Sequence, residues 1–262
     1  MYDKEKLNKL SGNDSITRVK YNPSLIKFNG SRGTFSLVEK TQEGYAAPKA
    51  LTAPITVTIL RPRRICGWYE KTQAGENVSY FTNEHNSYAD QLTLFSVTGN
   101  GKAKVVDNGT SSELYEKYPL LRTSVVLYVL YNGTVHKLKL KGKSLKAFKT
   151  YREVLDKDDK TFYEFETEIG ANEEASQSFS YYSATFNATK PTDLEKIGPF
   201  IESVGNVLDK IDAQHKKASA QAAQDFEGEQ PGHSEPIIEV DEEGEPEPLK
   251  TDDDIKVDDI PF

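Results

Sequence analysis

The chain has 262 residues and a formal net charge of −8. It contains no run of about 18 apolar residues that would cross a membrane. A negative total argues against a nucleic-acid-binding protein, because such proteins usually carry a basic surface. The total conceals a gradient: residues 1–153 hold 24 basic and 13 acidic side chains, residues 154–224 hold 7 and 13, and residues 225–262 hold 2 and 15. This asymmetry is typical of chains that bind nucleic acid or carry an interaction tail.

The first residues, Met1-Tyr2-Asp3-Lys4, are polar and lack the apolar core of a secretory signal. Cys66 is the only cysteine in the sequence, so no disulfide forms within one chain, which fits a reducing compartment. We therefore predict a cytoplasmic protein without membrane contact.

Strands and turns dominate residues 21–190, which we predict to be one β-domain after a polar arm at residues 1–20. The strand candidates are rich in β-branched and aromatic residues and are bounded by turn residues. They are residues 55–60, 92–98, 102–106, 162–169 and 179–186.

The clearest element is a hairpin at residues 124–141, where two apolar strands flank Asn132-Gly133. This dipeptide favours a two-residue type I′ turn, which places Tyr128 opposite Lys137. Because side chains alternate along strands, one face is apolar and forms the core. It carries Val125, Leu127, Val129, Leu138 and Leu140, with His136 as a structural residue. The other face is predicted to point outward and carries Tyr128, Lys137, Lys139 and Lys141.

Two helices are predicted after the hairpin. Residues 144–155 have apolar residues at helical spacing, with Ser144 as a candidate cap. Thr192-Asp193-Leu194-Glu195 fits a capping box, and an apolar stripe from Leu194 to Ile211 follows it across residues 191–218. Gly198-Pro199 predicts a kink or restart. The stripe fits either a helix packed on the β-domain or a contact between subunits.

Catalytic and metal-binding patterns are weak. The four histidines, His85, His136, His215 and His233, are scattered and have no second ligand at zinc spacing. Neither a Walker-type phosphate loop nor a nucleophile elbow occurs. We therefore predict no cofactor, no metal and no enzymatic activity.

Patterns for nucleic-acid binding are stronger, because single strands require cations for phosphates and exposed rings on which bases stack. Basic and aromatic residues interleave on the predicted strands of the basic half. Aromatic residues on strands also form cores, and alternating lysines also form solvated faces, so each residue has this simpler alternative. The candidates are Arg61, Arg63, Arg64, Trp68, Tyr69, Tyr80, Lys102, Lys104, Tyr128, Lys137, Lys139 and Lys141.

Residues 219–262 are acidic and poor in large apolar residues, which predicts disorder. They finish with Asp258-Asp259-Ile260-Pro261-Phe262. This ending resembles the C-terminal tip of bacterial single-stranded-DNA-binding proteins, in which the terminal Phe and its carboxylate dock on partner proteins. The resemblance implies that Pro261 and Phe262 anchor the tip, beside Ile260, and that Asp258 and Asp259 supply its electrostatic attraction.

A larger β-domain with such a tip resembles bacteriophage single-stranded-DNA-binding proteins. This implies a mainly β chain in the host-cell cytoplasm, with an OB-fold (a five-stranded β-barrel) at residues 21–190, extra strands, a C-terminal helix and an acidic tail. The expected function is to coat single-stranded DNA during replication, recombination or repair and to recruit partner proteins, including those of a host. The alternatives are an adaptor that binds replication or transcription proteins without coating DNA, and a nuclease.

Overall fold

The computed structural model describes residues 23–42, 44–72, 75–98, 103–175 and 180–227, with only the helical backbone for residues 217–227. Of the two compact units, Met1–Ser219 contains all the packing discussed below, and Ala220–Phe262 contributes only its first, helical residues. The predicted arm at residues 1–20 and the acidic tip lie outside the described residues.

The described chain is mainly β, as predicted. Its strands are β1 (Ser24–Asn29), β2 (Thr34–Val38), β3 (Lys49–Leu51), β4 (Ile55–Lys71), β5 (Asn77–Thr82), β6 (Leu92–Val97), β7 (Ala103–Gly109), β8 (Arg122–Tyr131), β9 (Thr134–Leu140), β10 (Phe165–Ala175) and β11 (Ser180–Pro191). Three helices accompany them, α1 (Ser111–Lys117), α2 (Gly142–Lys157) and α3 (Leu194–Glu227), with a 3₁₀ turn at Phe162–Glu164.

The strands form one open mixed sheet in the order β3-β2-β1-β9-β8-β4-β5-β6-β7, with β10 on β4 and β11 on β10. The described strands therefore do not close into the five-stranded barrel that was predicted. The long β4 explains the difference, because its residues 55–57 pair with β10, residues 58–67 with β8 and residues 67–71 with β5. Strands β5–β7 extend the sheet from one end of β4, and β1 pairs in parallel with β9 at the other side.

The hairpin prediction is confirmed in its register. Asn132 and Gly133 both have positive φ, 49° and 73°, as a type I′ turn requires, and Tyr128 pairs with Lys137. The apolar face of the hairpin joins the main core, where Leu127, Val129 and Leu138 are fully buried. Phe148 and Tyr151 of α2 cover this core, and His136 is buried on the same face.

Both predicted helix caps are wrong, although both helices form. Ser144 lies inside α2, where its buried hydroxyl accepts a hydrogen bond from the Ala184 N–H at 2.9 Å. The cap of α3 is Asp193, whose carboxylate accepts from the N–H groups of Glu195 and Lys196. The Thr192 hydroxyl donates instead to the Tyr163 carbonyl. The helix continues through Pro199 without a restart.

The described helices do not combine the length and the apolar character needed to cross a membrane.

Gly33, in the turn between β1 and β2, has a φ of +66°, and a Cβ there would lie 2.6 Å from Cδ1 of Tyr182. We expect Gly33→Ala to lower the free energy of unfolding by about 2 kcal/mol, because left-handed strain adds to displacement of the ring. Gly133→Ala is the control: its φ is +73° but no atom lies within 4 Å, so only the strain of about 1 kcal/mol applies. Urea denaturation distinguishes the two, and equal costs would show that Tyr182 does not pack on the turn.

Candidate nucleic-acid interface

Five of the twelve predicted binding residues lie on one surface that spans three neighbouring strands. Arg61 of β4 pairs with Tyr128 of β8, which pairs with Lys137 of β9. The next row brings Arg63, Val126 and Lys139 together in the same way. Cross-strand partners share a face of the sheet. We call these six residues, Arg61, Arg63, Val126, Tyr128, Lys137 and Lys139, the β4–β8–β9 face.

Helix α3 packs on the β-domain, which was one of the two predicted alternatives, but it covers the β4–β8–β9 face, which was predicted to point to solvent. Val204 and Leu208 of the helix are each 1% exposed and pack with Leu60, Val126 and Tyr128. Tyr128 is itself only 1% exposed, so the prediction that its ring points to solvent is wrong. The physical reason is the apolar stripe of α3, which is removed from water by packing on Tyr128 and its apolar neighbours.

The two arginines of the face bind carboxylates of α3. The Arg61 guanidinium lies 3.2 Å from Asp209, and both groups are partly exposed. Arg63 binds Asp212 through two hydrogen bonds of 2.8 and 2.6 Å and also donates to the Glu84 carbonyl at 2.6 Å. The Arg63 side chain has no solvent exposure, so the prediction that it contacts phosphate does not hold while α3 is in place.

Glu84, in the connection between β5 and β6, organises the other side of the face. Its carboxylate accepts from the Tyr128 hydroxyl at 2.7 Å and from the Lys137 ammonium at 2.8 Å. That ammonium also lies 5.2 Å from the centroid of the Tyr128 ring. Arg61, Arg63 and Lys137 therefore each bind a carboxylate of their own chain.

The sequence interpretation missed Glu84, Asp209 and Asp212. Asp209 and Asp212 flank the apolar stripe of α3, one residue after Leu208 and Ile211. This spacing would have placed both carboxylates at the edge of a buried helix face. Glu84 had no comparable signal, because its role depends on the fold of a long connection.

Lys139 and Lys141 differ from the other cations in their ionisation. Burial, together with the charge of Lys141, lowers the pKa of Lys139 to about 8. Partial desolvation also lowers the pKa of Lys141, which is exposed at the surface. The Lys139 ammonium is thus partly deprotonated near pH 8, where most lysines remain charged.

The remaining candidates lie away from this face. Trp68 stacks on Tyr80 at 4.1 Å between nearly parallel rings, and on Tyr118 at 5.3 Å. These half-buried rings pack against a second core around Cys66 and Leu92. Lys104 is exposed on β7 and belongs to the same cross-strand row, because Tyr80 pairs with Ser96 and Ser96 pairs with Lys104. Arg64 lies 4.4 Å from the Tyr88 ring centroid and donates to the Asn86 carbonyl, and Tyr69 is half-buried. Lys102 lies outside the described residues.

Within the described ranges, no group of three or more His, Cys, Asp and Glu side chains is arranged to hold a metal ion. No family model, no curated protein and no solved structure matches the chain.

Proposed function

We propose that the chain is a single-stranded-DNA-binding protein and that it binds the strand at the β4–β8–β9 face. The observation that carries the proposal is the double row of cations and a ring across three adjacent strands. With α3 displaced from it, such a surface would offer partners to phosphates and a platform for a base. We further propose that the chain coats and protects single strands during replication, recombination or repair.

The connectivity of the strands supports an OB-type domain. Strands β10, β4, β8 and β9 lie side by side with β10 returning through α2 to pair with β4, which is the 4-1-2-3 order of a Greek key. Strand β11 adds a fifth member beside β10. An OB-fold is a partly open five-stranded Greek-key barrel that binds oligonucleotides on its second and third strands. In this assignment those strands are β8 and β9, which carry Tyr128, Lys137 and Lys139.

The position of β1 supports the same assignment. It occupies the place beside β9, and the turn after it reaches β11, where the Tyr182 N–H donates to the Gly30 carbonyl at 2.6 Å. This hydrogen bond links the turn after β1 to β11, although the described strands β1 and β11 are not paired in a ladder. We therefore propose an OB-type unit that β1 enlarges.

The charge distribution supports the proposal and extends it to partners. Residues 1–153 carry an excess of 11 basic side chains, and residues 225–262 an excess of 13 acidic ones. The first attracts phosphate, whereas the second repels it and attracts basic protein surfaces. We propose that Asp258–Phe262 recruits replication or repair proteins, as the resemblance to bacterial single-stranded-DNA-binding proteins implies.

Titration of fluorescent oligo-dT with the full chain tests the proposal. The variant K139Q/K141Q removes two cations from β9 and the residue after it, and the control K146Q/K149Q removes two exposed cations from α2. We expect the first to weaken binding by roughly 10- to 30-fold, since each lost phosphate contact lowers affinity about 5-fold near 0.1 M salt. The control should change affinity less than about 3-fold through net charge alone. Equal losses would overturn the assignment of the face.

The lowered pKa of Lys139 predicts a pH dependence of binding. Because its ammonium loses the proton near pH 8, the face carries less positive charge at pH 9 than at pH 7. Affinity for oligo-dT should therefore fall by up to about 5-fold between these values. Lys139→Arg keeps the charge throughout and should flatten the profile. The same slope in both proteins would remove Lys139 from the interface.

An adaptor protein is the second candidate function, and the pairing of Arg61, Arg63 and Lys137 with carboxylates of their own chain favours it. In that case the β4–β8–β9 face is structural and the acidic end carries the function. The adaptor function predicts no oligo-dT binding by the full chain or by any charge variant of the face.

A further inference from the structure

Helix α3 presents carboxylates to the same arginines that would bind phosphates. Asp212 binds Arg63 through both of its oxygens, and Asp209 binds Arg61 one turn earlier on the helix. A guanidinium recognises carboxylate and phosphate oxygens with the same two-pronged geometry. The two aspartates therefore occupy the positions that phosphate groups would take on this surface.

Apolar side chains of α3 likewise fill the space that a base would need on this surface. Val204 and Leu208 pack with Tyr128, whose ring is the aromatic platform of the face. A base stacked on Tyr128 would need the space that these side chains fill. Contacts to phosphate positions and to the base position thus come from a single helix.

Some residues of α3 and of its contacts with the sheet are exposed to solvent. Asp209 is 67% exposed and Arg61 is 29% exposed, so water reaches this ion pair from the side. The side chain of Leu194 at the start of the helix is also largely exposed. An incoming phosphate can replace Asp209 at Arg61 first, before the buried pair between Asp212 and Arg63 separates.

We propose that α3 is an internal competitor of single-stranded DNA: it occupies the β4–β8–β9 face in the free protein and leaves it when DNA binds. This inference rests on the proposed function and adds regulation to it. The observed affinity is then the intrinsic affinity of the open face reduced by the small fraction of molecules in which α3 has left it.

Charge variants of α3 test the competition. The variant D209N/D212N removes the two competing carboxylates, and E195Q/E202Q removes two exposed charges elsewhere on the same helix. We expect the first to tighten binding to oligo-dT roughly 5-fold or more relative to wild type, in the range of ordinary coupling between sites. The control should tighten binding by the smaller amount that net charge gives. D209N alone, compared with E202Q alone, provides the same test without disturbing the buried pair.

Amide hydrogen exchange of the wild-type full chain tests the movement itself. Saturating oligo-dT should lower the protection of the amides of residues 200–212, because α3 then no longer packs on the β4–β8–β9 face. Unchanged or higher protection with DNA bound, or equal affinities of the aspartate variants and their controls, would overturn the competition and leave DNA binding intact. Failure of wild type and all variants to bind oligo-dT would instead overturn the proposed function, and this inference with it.

Discussion

Replacing Asp212 by alanine is expected to lower the free energy of unfolding by about 3 kcal/mol, the lower end of the range for breaking a buried ion pair. The Arg63 side chain has no solvent exposure, whereas the Asp212 side chain is 25% exposed. The substitution leaves a buried guanidinium with the Glu84 carbonyl as a partner and without its carboxylate. Urea denaturation of the full chain measures this loss.

Asp209→Ala is the matched control, because it removes the neighbouring carboxylate of the same helix. Its pair with Arg61 is exposed on both sides, so we expect a loss below about 1 kcal/mol. Arg63→Met should cost less than Asp212→Ala, since Asp212 is able to turn toward water. Equal losses for the two aspartates would contradict the burial of Arg63 beneath α3.

The second large effect that we expect is a strong dependence of DNA affinity on salt concentration. We expect the affinity of the full chain for oligo-dT to fall about 100-fold between 50 and 200 mM monovalent salt, because about five cations each replace counterions on a single strand. The five are Arg61, Arg63, Lys137, Lys139 and Lys141, the last following β9 directly. Fluorescence anisotropy at four or five salt concentrations gives the slope.

The variant K139Q/K141Q should lower that slope by about 1.4 on the logarithmic scale, at about 0.7 for each phosphate contact. The control K146Q/K149Q should leave the slope unchanged. A wild-type affinity that barely responds to salt would contradict a phosphate-binding face, whatever the affinity itself.

Local chemistry made the hairpin predictable. Asn132-Gly133 fixes the turn, the turn fixes the register, and the register separates the core face from the cationic face. The same reasoning placed Lys137 beside Tyr128, and the structure has them paired. None of this requires knowledge of distant parts of the chain.

Contacts between distant segments could not be predicted in this way. The alternation of residues in β8 and β9 shows that Tyr128 lies opposite the core, but not that a helix almost 80 residues later would cover it. The parallel pairing of β1 with β9 joins segments more than 100 residues apart and has no local signal. Asp212 likewise becomes a partner of Arg63 only through the docking of α3.

The predicted binding residues lie on two different surfaces for the same reason. Arg61 and Arg63 alternate with Pro62 and so share a side of β4 with the hairpin cations. Trp68 lies farther along β4, where β4 pairs with β5 instead of β8, and Tyr80 is its partner on β5. The rings of these two residues pack on a different core. Sequence proximity grouped these residues, and the length of β4 separated them.

Photocrosslinking of the full chain to oligonucleotides containing 5-iodouracil identifies the residue that contacts the base, and so tests whether DNA binds at the β4–β8–β9 face. We expect crosslinks to the β8 peptide that contains Tyr128, and these should decline in K139Q/K141Q and increase in D209N/D212N. Crosslinks confined to the peptides of Trp68, Tyr80 and Tyr118, with none in β8, would contradict a single strand bound on the β4–β8–β9 face.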